Sequence, residues 1–223
     1  DIIFTLVATP SLEDGSYDVS AVDDVVSDIL KFGWENKNSL TGKSFVVGCT
    51  TNPGDCDRFQ EKLSEVGMNV YYNPEFIAQG SIVKDLQTAD MVLIGGKDDC
   101  YDKDQSKDKI WTSALLAEIY HKIQVTEPSI HYMSTKAAEL TKIALNCFLT
   151  TKISYANMIG EVLALSKMES EIDTVLKAIG SDSRVGNKYL GFGFGFGGPC
   201  FPRDNRAFAA YAKSVGVEHD IGT

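Results

Sequence analysis

Residues 2–7 (IIFTLV) form an unbroken apolar run, the pattern of a strand covered on both faces. The loop Thr9-Pro10-Ser11-Leu12-Glu13-Asp14-Gly15 follows. Apolar residues at 22, 25, 26, 29 and 30 then fall at helical spacing and predict a helix over 19–32, with Asp18 or Ser20 available as its cap. Shorter runs at 44–49 (SFVVGC), 68–72 and 91–94 (MVLI) predict three further strands. Helical patterns over about 56–66 and over 106–122 lie between and after them. Alternation of strand and helix predicts an α/β fold built on part of a doubly wound parallel, Rossmann-like sheet.

The pattern changes near Glu127-Pro128. Residues 134–167 read as one long helix, with no Gly or Pro until Gly160. At ~1.5 Å per residue it spans roughly 50 Å, longer than the helices of a small α/β unit need to be. That length suits a spine between domains or a subunit interface. A helix over about 170–179 ends at Gly180, a Gly/Phe-rich loop covers 186–202, and a last helix covers 203–215. The expected division is therefore 1–128 for the α/β part and 129–223 for an all-helical central domain with the spine helix. Opening at Asp1 and running straight into a strand, the chain reads as the middle of a longer protein.

Charge and composition narrow the function classes. Lys+Arg number 21 against 31 Asp+Glu, a formal net charge of −10. This argues against broad nucleic-acid binding while leaving room for a local anion site. No apolar run approaches the ~20 residues of a membrane span, and no signal-peptide pattern opens the chain, so no membrane partner is expected. The cysteines 49, 56, 100, 147 and 200 and the histidines 121, 131 and 219 show no ligand spacing. Neither a metal site nor a disulfide framework is expected, and a reducing cytoplasmic setting is the default.

Three segments carry candidate chemistry. The first is the loop Gly191 to Asp204 (GFGFGFGGPCFPRD), whose glycines allow close backbone approach to a ligand. Cys200 stands there between Pro199 and Pro202, just before a helix that should begin near Pro202 or Arg203. A helix N-terminus and a nearby cation favour a thiolate nucleophile; the alternative is a glycine-rich turn with an incidental Cys. Asp204 is placed to orient a water or accept a proton. The second segment is the long helix, where Lys142 and Asn146 are four apart and share a face. They are either residues of its wet face or buried donors forming a charged oxyanion site. The third is Tyr72-Asn73-Pro74-Glu75-Phe76-Ile77-Ala78-Gln79, at the carboxyl end of a strand, where ligands bind in open α/β sheets. Glu75 is either a general base or an exposed loop carboxylate. Cys49-Thr50-Thr51-Asn52-Pro53-Gly54 and Ala8-Thr9-Pro10 also follow strands, so three strand ends carry small, polar or Pro-containing loops. The charge run 97–104 reads as a solvated loop.

These segments together are similar to a known family. FGFGGPCFPRD at 194–204 resembles the cysteine motif of nucleotide-sugar dehydrogenases, the UDP-glucose/GDP-mannose dehydrogenase family, and most of all its UDP-glucose 6-dehydrogenase branch. Asn73-Pro74-Glu75-Phe76 resembles the family's NPEF loop. Ala138-Glu139-Leu140-Thr141-Lys142 through Asn146-Cys147-Phe148 resembles its central helix, and Arg184-Val185-Gly186 with Tyr189-Leu190 resembles its RIG-x-x-YL segment. Four motifs in order, nearly end to end, are specific where one alone is weak.

The resemblance implies oxidation of a sugar's primary alcohol to a carboxylate with two NAD+, feeding polysaccharide biosynthesis. It implies that Cys200 captures the aldehyde as a thiohemiacetal and then carries the thioester. Lys142 and Asn146 would stabilise oxyanions, Asp204 and Thr50 would hold or activate water and alcohol, and Glu75 would serve in thioester hydrolysis. Phe76, Ile77, Tyr189, Leu190, Gly197 and Phe201 would line the substrate, and Arg184 would reach the substrate of a partner subunit in a homodimer formed through the long helix. Thr9, Pro10, Thr50, Gln79 and Arg203 would lie near NAD.

Departures accompany the match. Gln79 replaces a common Glu, Arg203 a common Lys, and Asn52 a frequent Pro. The family's Gly-x-Gly-x-x-Gly pyrophosphate turn does not occur before residue 190, and the glycines at 191–198 lack a preceding strand and a following acidic residue. Without that turn and the family's closing nucleotide-sugar domain, the 223 residues alone are expected to be inactive. GDP-mannose or a UDP-N-acetylhexosamine is the alternative substrate, and a non-catalytic dimerisation module the alternative class.

Overall fold

The computed structural model describes residues 1–76, 80–96 and 112–217. Ile77, Gln79, Cys100, His219, the 97–104 charge run and the start of the helix expected over 106–122 lie outside the described residues. The chain divides into two compact units, one of residues 1–12 and 17–142, the other of residues 13–16 and 143–223.

The first unit is an α/β sheet. Its strands are β1 (Ile2–Thr5), β2 (Ser44–Val47), β3 (Asn69–Tyr72), β4 (Val92–Gly96) and β5 (Ile130–Ser134), lying side by side in sequence order. β1, β2 and β3 run parallel, as does β5 beside β4. β4 is antiparallel to β3, with Tyr72 opposite Gly95. The helices are α1 (Ser20–Glu35), α2 (Asp55–Leu63), the short α3 (Ile82–Gln87) and α4 (Thr112–Ile123). β2 and β4 are buried at every position, as their apolar runs require. On one face Val46, Tyr71, Val92 and Ile94 pack with Leu116 and Ala117 of α4. Side chains alternate across a strand, so the equally buried Phe45, Val47, Val70 and Tyr72 serve the opposite face, where α2 lies against β3 and α1 against α2.

The antiparallel β4 departs from the parallel sheet expected, and three further differences stand beside it. Among the described residues β1 is an outer strand beside β2, and Phe4 and Leu6 are exposed where the apolar run predicts cover on both faces. β5 (IHYMS) was hidden by its mixed polarity: it is the other outer strand and is at most half-buried. α3 has no buried residue and therefore no apolar stripe by which to read it.

The long pattern folds as one helix, α5 (Thr135–Leu165), which contributes its first turns to the first unit and the rest to the second. The second unit adds α6 (Ile172–Ser181), entered through a 3-10 turn at Glu169–Glu171, and α7 (Phe201–Ser214). Its core joins Ala156 and Leu163 of α5 to Ile172 and Leu176 of α6, with Leu190 packed alongside.

Candidate active site

In the first unit the parallel strands β1, β2 and β3 end on the same edge of the sheet. Thr9 after β1 is buried and Pro10 is exposed; Thr50 after β2 and Glu75 and Phe76 after β3 are half-buried. The NPEF loop is held by its asparagine. Asn73 is buried, its N–H donates to Val47 O (2.9 Å), its Nδ2 donates to Leu93 O (2.9 Å), and Tyr120 Oη donates to its Oδ1 (2.8 Å). Lys142 of α5 meets the same loop: Nζ donates to the carbonyl of Glu75 and lies over the Phe76 ring, 4.3 Å from its centroid. The ammonium is thus half-buried, supported by a carbonyl dipole and a ring quadrupole. Of the residues singled out in the sequence, Lys142, Glu75 and Phe76 come together here; Ile77 and Gln79 lie outside the described residues.

Asn52, the departure from the family's proline, has a role visible in the structure. Its side-chain amide pairs with the backbone of Tyr17 in both directions, Tyr17 N to Oδ1 at 2.8 Å and Nδ2 to Tyr17 O at 3.0 Å. Its own N–H and Nδ2 both donate to Asp55 Oδ2 at 2.9 Å. The loop after Thr50 is thereby tied to a segment 35 residues away.

The same loop is gripped from the other side by a residue to which sequence reasoning gave no role. Glu139 of α5 has no solvent exposure and accepts from Thr51 Oγ1 (2.8 Å), Gly54 N (2.6 Å) and Cys56 N (2.9 Å). Gly54 is the N-cap of α2 at φ +108°, a conformation a glycine adopts without strain, and it aims its N–H at the carboxylate. Burial raises the Glu139 carboxyl to about 7, against the lowering effect of these hydrogen bonds. Burial and the nearby Glu139 charge push the Cys56 thiol well up, and burial pushes the Tyr72 hydroxyl up. A signal was present: Glu139, Ile143 and Cys147 are successive i, i+4 positions and all are buried. Glu139 sits in register with the apolar stripe.

In the second unit Cys200 is exposed and occupies the N-cap of α7, one residue before Phe201, where the helix begins slightly earlier than the prolines suggested. Asp204 is one turn on, 1% exposed, and its N–H closes the first helical bond onto Cys200 O (2.8 Å). Its carboxylate accepts from Asn146 Nδ2 (2.6 Å) and from Arg203 Nε (3.3 Å). Beside this pair Thr150 Oγ1 donates to Asn205 Oδ1 (3.1 Å), so α5 and α7 are joined here by polar contacts. The rings of Tyr189 and Phe201 meet edge to face with centroids 6.3 Å apart. Tyr189 has φ 65°, rare for a bulky residue. Leu190 packs on the core of the unit, Gly197 is exposed, and Arg184 is exposed and paired with Asp182 through Nε (3.0 Å) and Nη2 (2.7 Å). The Gly/Phe loop is pinned by α5: Gly193 N donates to Asn157 Oδ1 (3.0 Å), Asn157 Nδ2 donates to Phe194 O (3.0 Å), and the Phe192 ring covers Gly160. Asn157 and Gly160 were not singled out in the sequence.

The donor at the end of β2 fits a nicotinamide cofactor. Thr50, half-buried, carries a neutral hydroxyl at the carboxyl edge of the parallel strands, where dinucleotides bind, and the buried Glu139 points into the protein rather than at that edge. Among the described residues no cluster of three His, Cys, Asp or Glu is arranged to hold a metal, and no helix is long and apolar enough to cross a membrane.

Comparison with known proteins agrees with this geometry. Residues 1–124 match the model of the UDP-glucose/GDP-mannose dehydrogenase family's NAD binding domain, and residues 136–222 match that of its central domain. The cofactor is NAD. UDP-glucose 6-dehydrogenase YwqF of Bacillus subtilis is 33% identical over 99% of this chain and 46% of its own length. UDP-glucose 6-dehydrogenase AglM of Haloferax volcanii is 32% identical over 98% and 49%. The chain thus spans about half the length of the curated relatives it matches. A solved UDP-glucose dehydrogenase from Pyrobaculum islandicum superposes with TM-score 0.79 at 31% identity, covering 100% of this chain and 48% of that one. A GDP-mannose dehydrogenase from Pseudomonas aeruginosa gives 0.65 at 25%, covering 98% and 48%. With both of its parts matched, and with the sheet, the cysteine turn and the central helix in place, the chain belongs to the UDP-glucose/GDP-mannose dehydrogenase family.

Proposed function

We propose that the protein to which these residues belong oxidises the C6 alcohol of UDP-glucose to the carboxylate of UDP-glucuronate, and that this chain supplies the reacting cysteine and its supports. Bound NAD+ supplies the hydride acceptor, two equivalents per sugar. Thr9, Pro10, Thr50 and Arg203 would hold it. Thr50 and Asp204 hold the alcohol and a water, through which the alcohol proton leaves as the C6 hydride departs. The Cys200 thiol adds to the resulting aldehyde, forming the C–S bond of a thiohemiacetal. Loss of the second C6 hydride and of the hydroxyl proton gives the thioester. Glu75 takes the proton from the water that attacks the thioester, and cleavage of the C–S bond returns the thiol and releases the acid. Lys142 and Asn146 stabilise the oxyanions formed at each stage. Phe76, Tyr189, Leu190, Gly197 and Phe201 would line the sugar.

The observation that carries this reading is Cys200 exposed at the N-cap of α7, one turn from a buried Asp204 that is hydrogen-bonded by Asn146. A structural cysteine has no need of either feature. The UDP-glucose choice rests on the 194–204 motif and on relatives bearing that name. The GDP-mannose dehydrogenase among the structural neighbours keeps GDP-mannose as the second reading, and UDP-N-acetylhexosamines stand beside it. The proposal also includes a cytoplasmic homodimer in which Arg184 reaches the partner's substrate. Phe148, Tyr155, Met158, Val162 and Leu165 are all exposed and follow a seven-residue repeat along α5, the pattern of a helix that pairs with a second copy.

The test uses the complete protein. Incubation with UDP-glucose and NAD+ should yield two NADH per sugar, with GDP-mannose and UDP-N-acetylglucosamine far slower. Cys200→Ser should abolish net formation of the acid. Absence of NADH with every nucleotide sugar refutes the enzyme reading.

A further inference from the structure

The helix that carries Lys142 also carries, one turn earlier, a carboxyl group that the scheme above leaves unused. Glu139 has no solvent exposure, and both its oxygens are engaged: Oε1 by Thr51 Oγ1 and Cys56 N, Oε2 by Gly54 N. All three donors come from one stretch, 51–56, which leads from β2 into α2 directly after Thr50. Two of them are backbone amides at the start of α2, where a helix has orphan N–H groups and favours a negative charge. Burying a carboxylate is costly, and a leucine in this place would fill the core more cheaply. What a leucine would not do is hold three donors of a loop in one arrangement. Three residues along the same helix, Lys142 is fixed to the carbonyl of Glu75, on the loop that follows β3.

We infer that Glu139 is a positioning residue that locks the loop bearing Thr50, and the first turn of α2, onto the Lys142 turn of α5. In this arrangement the loops after β2 and β3 are referred to one rigid helix, so Thr50 and Lys142 keep a fixed separation. The catalytic part of this inference rests on the function proposed above; the structural part does not. Glu139 is faced by Cys56 of α2, which itself neighbours Asp55, and by Tyr72 of β3, which itself neighbours Cys49 and Tyr17 and whose buried hydroxyl makes no hydrogen bond among the described residues. Burial disfavours a negative charge on Glu139 and outweighs the hydrogen bonds from Gly54, Cys56 and Thr51 that favour it, so its carboxyl is raised to about 7. Its grip on the loop should therefore weaken as the carboxyl takes up a proton below neutral pH.

The test compares Glu139→Gln and Glu139→Ala in the complete protein by amide hydrogen exchange and by steady-state kinetics across the neutral pH range. Gln keeps the volume and one acceptor oxygen but turns an NH2 toward Gly54. The Gly54 amide should exchange about tenfold faster or more in both variants, and the Cys56 amide also in the Ala variant, while the β2 amides keep their rates. With UDP-glucose, kcat should fall about tenfold or more with little change in the sugar KM, since misplacement of a reacting group costs rate rather than ground-state binding. The acid limb of the wild-type kcat profile near neutrality should vanish in Glu139→Gln. If the Ala variant does not fold, the Gln variant decides. Unchanged exchange at Gly54 overturns the inference, as does a kcat loss that is the same at every pH and follows global stability. If the wild type makes no NADH, the function reading falls, and the exchange result still decides whether Glu139 holds the loop.

Discussion

Asn146 Nδ2 donates to Asp204 Oδ2 at 2.6 Å, and Asp204 is 1% exposed. The amide is therefore a principal partner of a carboxylate that has almost no access to water. Replacing Asn146 by Leu removes a charge-assisted hydrogen bond and should lower the unfolding free energy by roughly 1.5–3 kcal/mol. Asn146→Asp should cost more at neutral pH, because two carboxylates then share the site, and part of the loss should return as the pH falls and one of them is protonated. Urea unfolding at neutral and acidic pH reads both. Because Asp204 N–H closes the first helical bond onto Cys200 O, these variants should also loosen the cysteine turn, seen as faster alkylation of Cys200.

Glu139 predicts a pH dependence of stability. Its carboxyl is raised from 4.5 to about 7 in the folded protein. Between those values the folded state holds a proton that the unfolded state has lost, so this group makes stability fall as pH rises. The penalty begins near the unfolded value and is complete above about 7, amounting to roughly 3 kcal/mol. Glu139→Gln should flatten that part of the stability profile, measured as urea midpoints from acid to neutral pH. An unchanged slope would show that the carboxylate is not the group responsible.

The parts of the fold that the sequence made readable are those where burial alone decides the residue type. The runs at 44–47 and 92–94 are apolar because they are buried on both faces, and α5 was readable because one pattern persists through it. The direction of β4 was not readable, since a run buried throughout has the same composition whichever way it points. β5 was missed because an outer strand tolerates His131 and Tyr132 on open positions. Among the site residues, Lys142, Asn146, Cys200 and Asp204 could be named because their spacing is local. Their supports could not, since Tyr17 with Asn52 and Glu139 with Gly54 are joined across 35 and 85 residues. Only the i, i+4 register of Glu139 with Ile143 left a trace.

The Gly/Phe loop offers a test of how α5 shapes it. A Cβ on Gly160 would stand 1.9 Å from Phe192 Cδ2, so the ring must leave its seat in Gly160→Ala. The helix gains about 1 kcal/mol from the better helix former, against about 1–3 kcal/mol for overpacking. Net stability should thus fall by up to about 2 kcal/mol while the loop moves. Asn157→Ala reaches the same loop without a clash, by removing the acceptor of Gly193 N and the donor to Phe194 O. Faster hydrogen exchange at Gly193 in both variants, with α6 unaffected, is the expected result. In the complete protein the accompanying change should be a raised KM for the nucleotide sugar. Protection at Gly193 equal to wild type would mean that the loop holds its shape without the helix.

Asn52 stands where the resemblance implies a frequent proline, and that residue can be put in its place. Asn52→Pro removes three side-chain hydrogen bonds, two with Tyr17 and one to Asp55, and also the backbone N–H that donates to Asp55 Oδ2. The following residue is Pro53, so the change makes a Pro-Pro pair, and Thr51 is confined to extended backbone as the residue before a proline. Asn52→Ala loses the same side-chain bonds and keeps the N–H. Asp55 retains Arg58 at 3.2 Å in either variant, so neither leaves it without a charge partner. The expected order of thermal stability is wild type, then Ala, then Pro, with the Ala variant lower by about 1–3 kcal/mol and the Pro variant by about one further hydrogen bond. If the Pro variant melts with or above the Ala variant, the proline's stiffening of the unfolded chain outweighs the lost N–H. The loop after Thr50 would then be held from the Glu139 side alone.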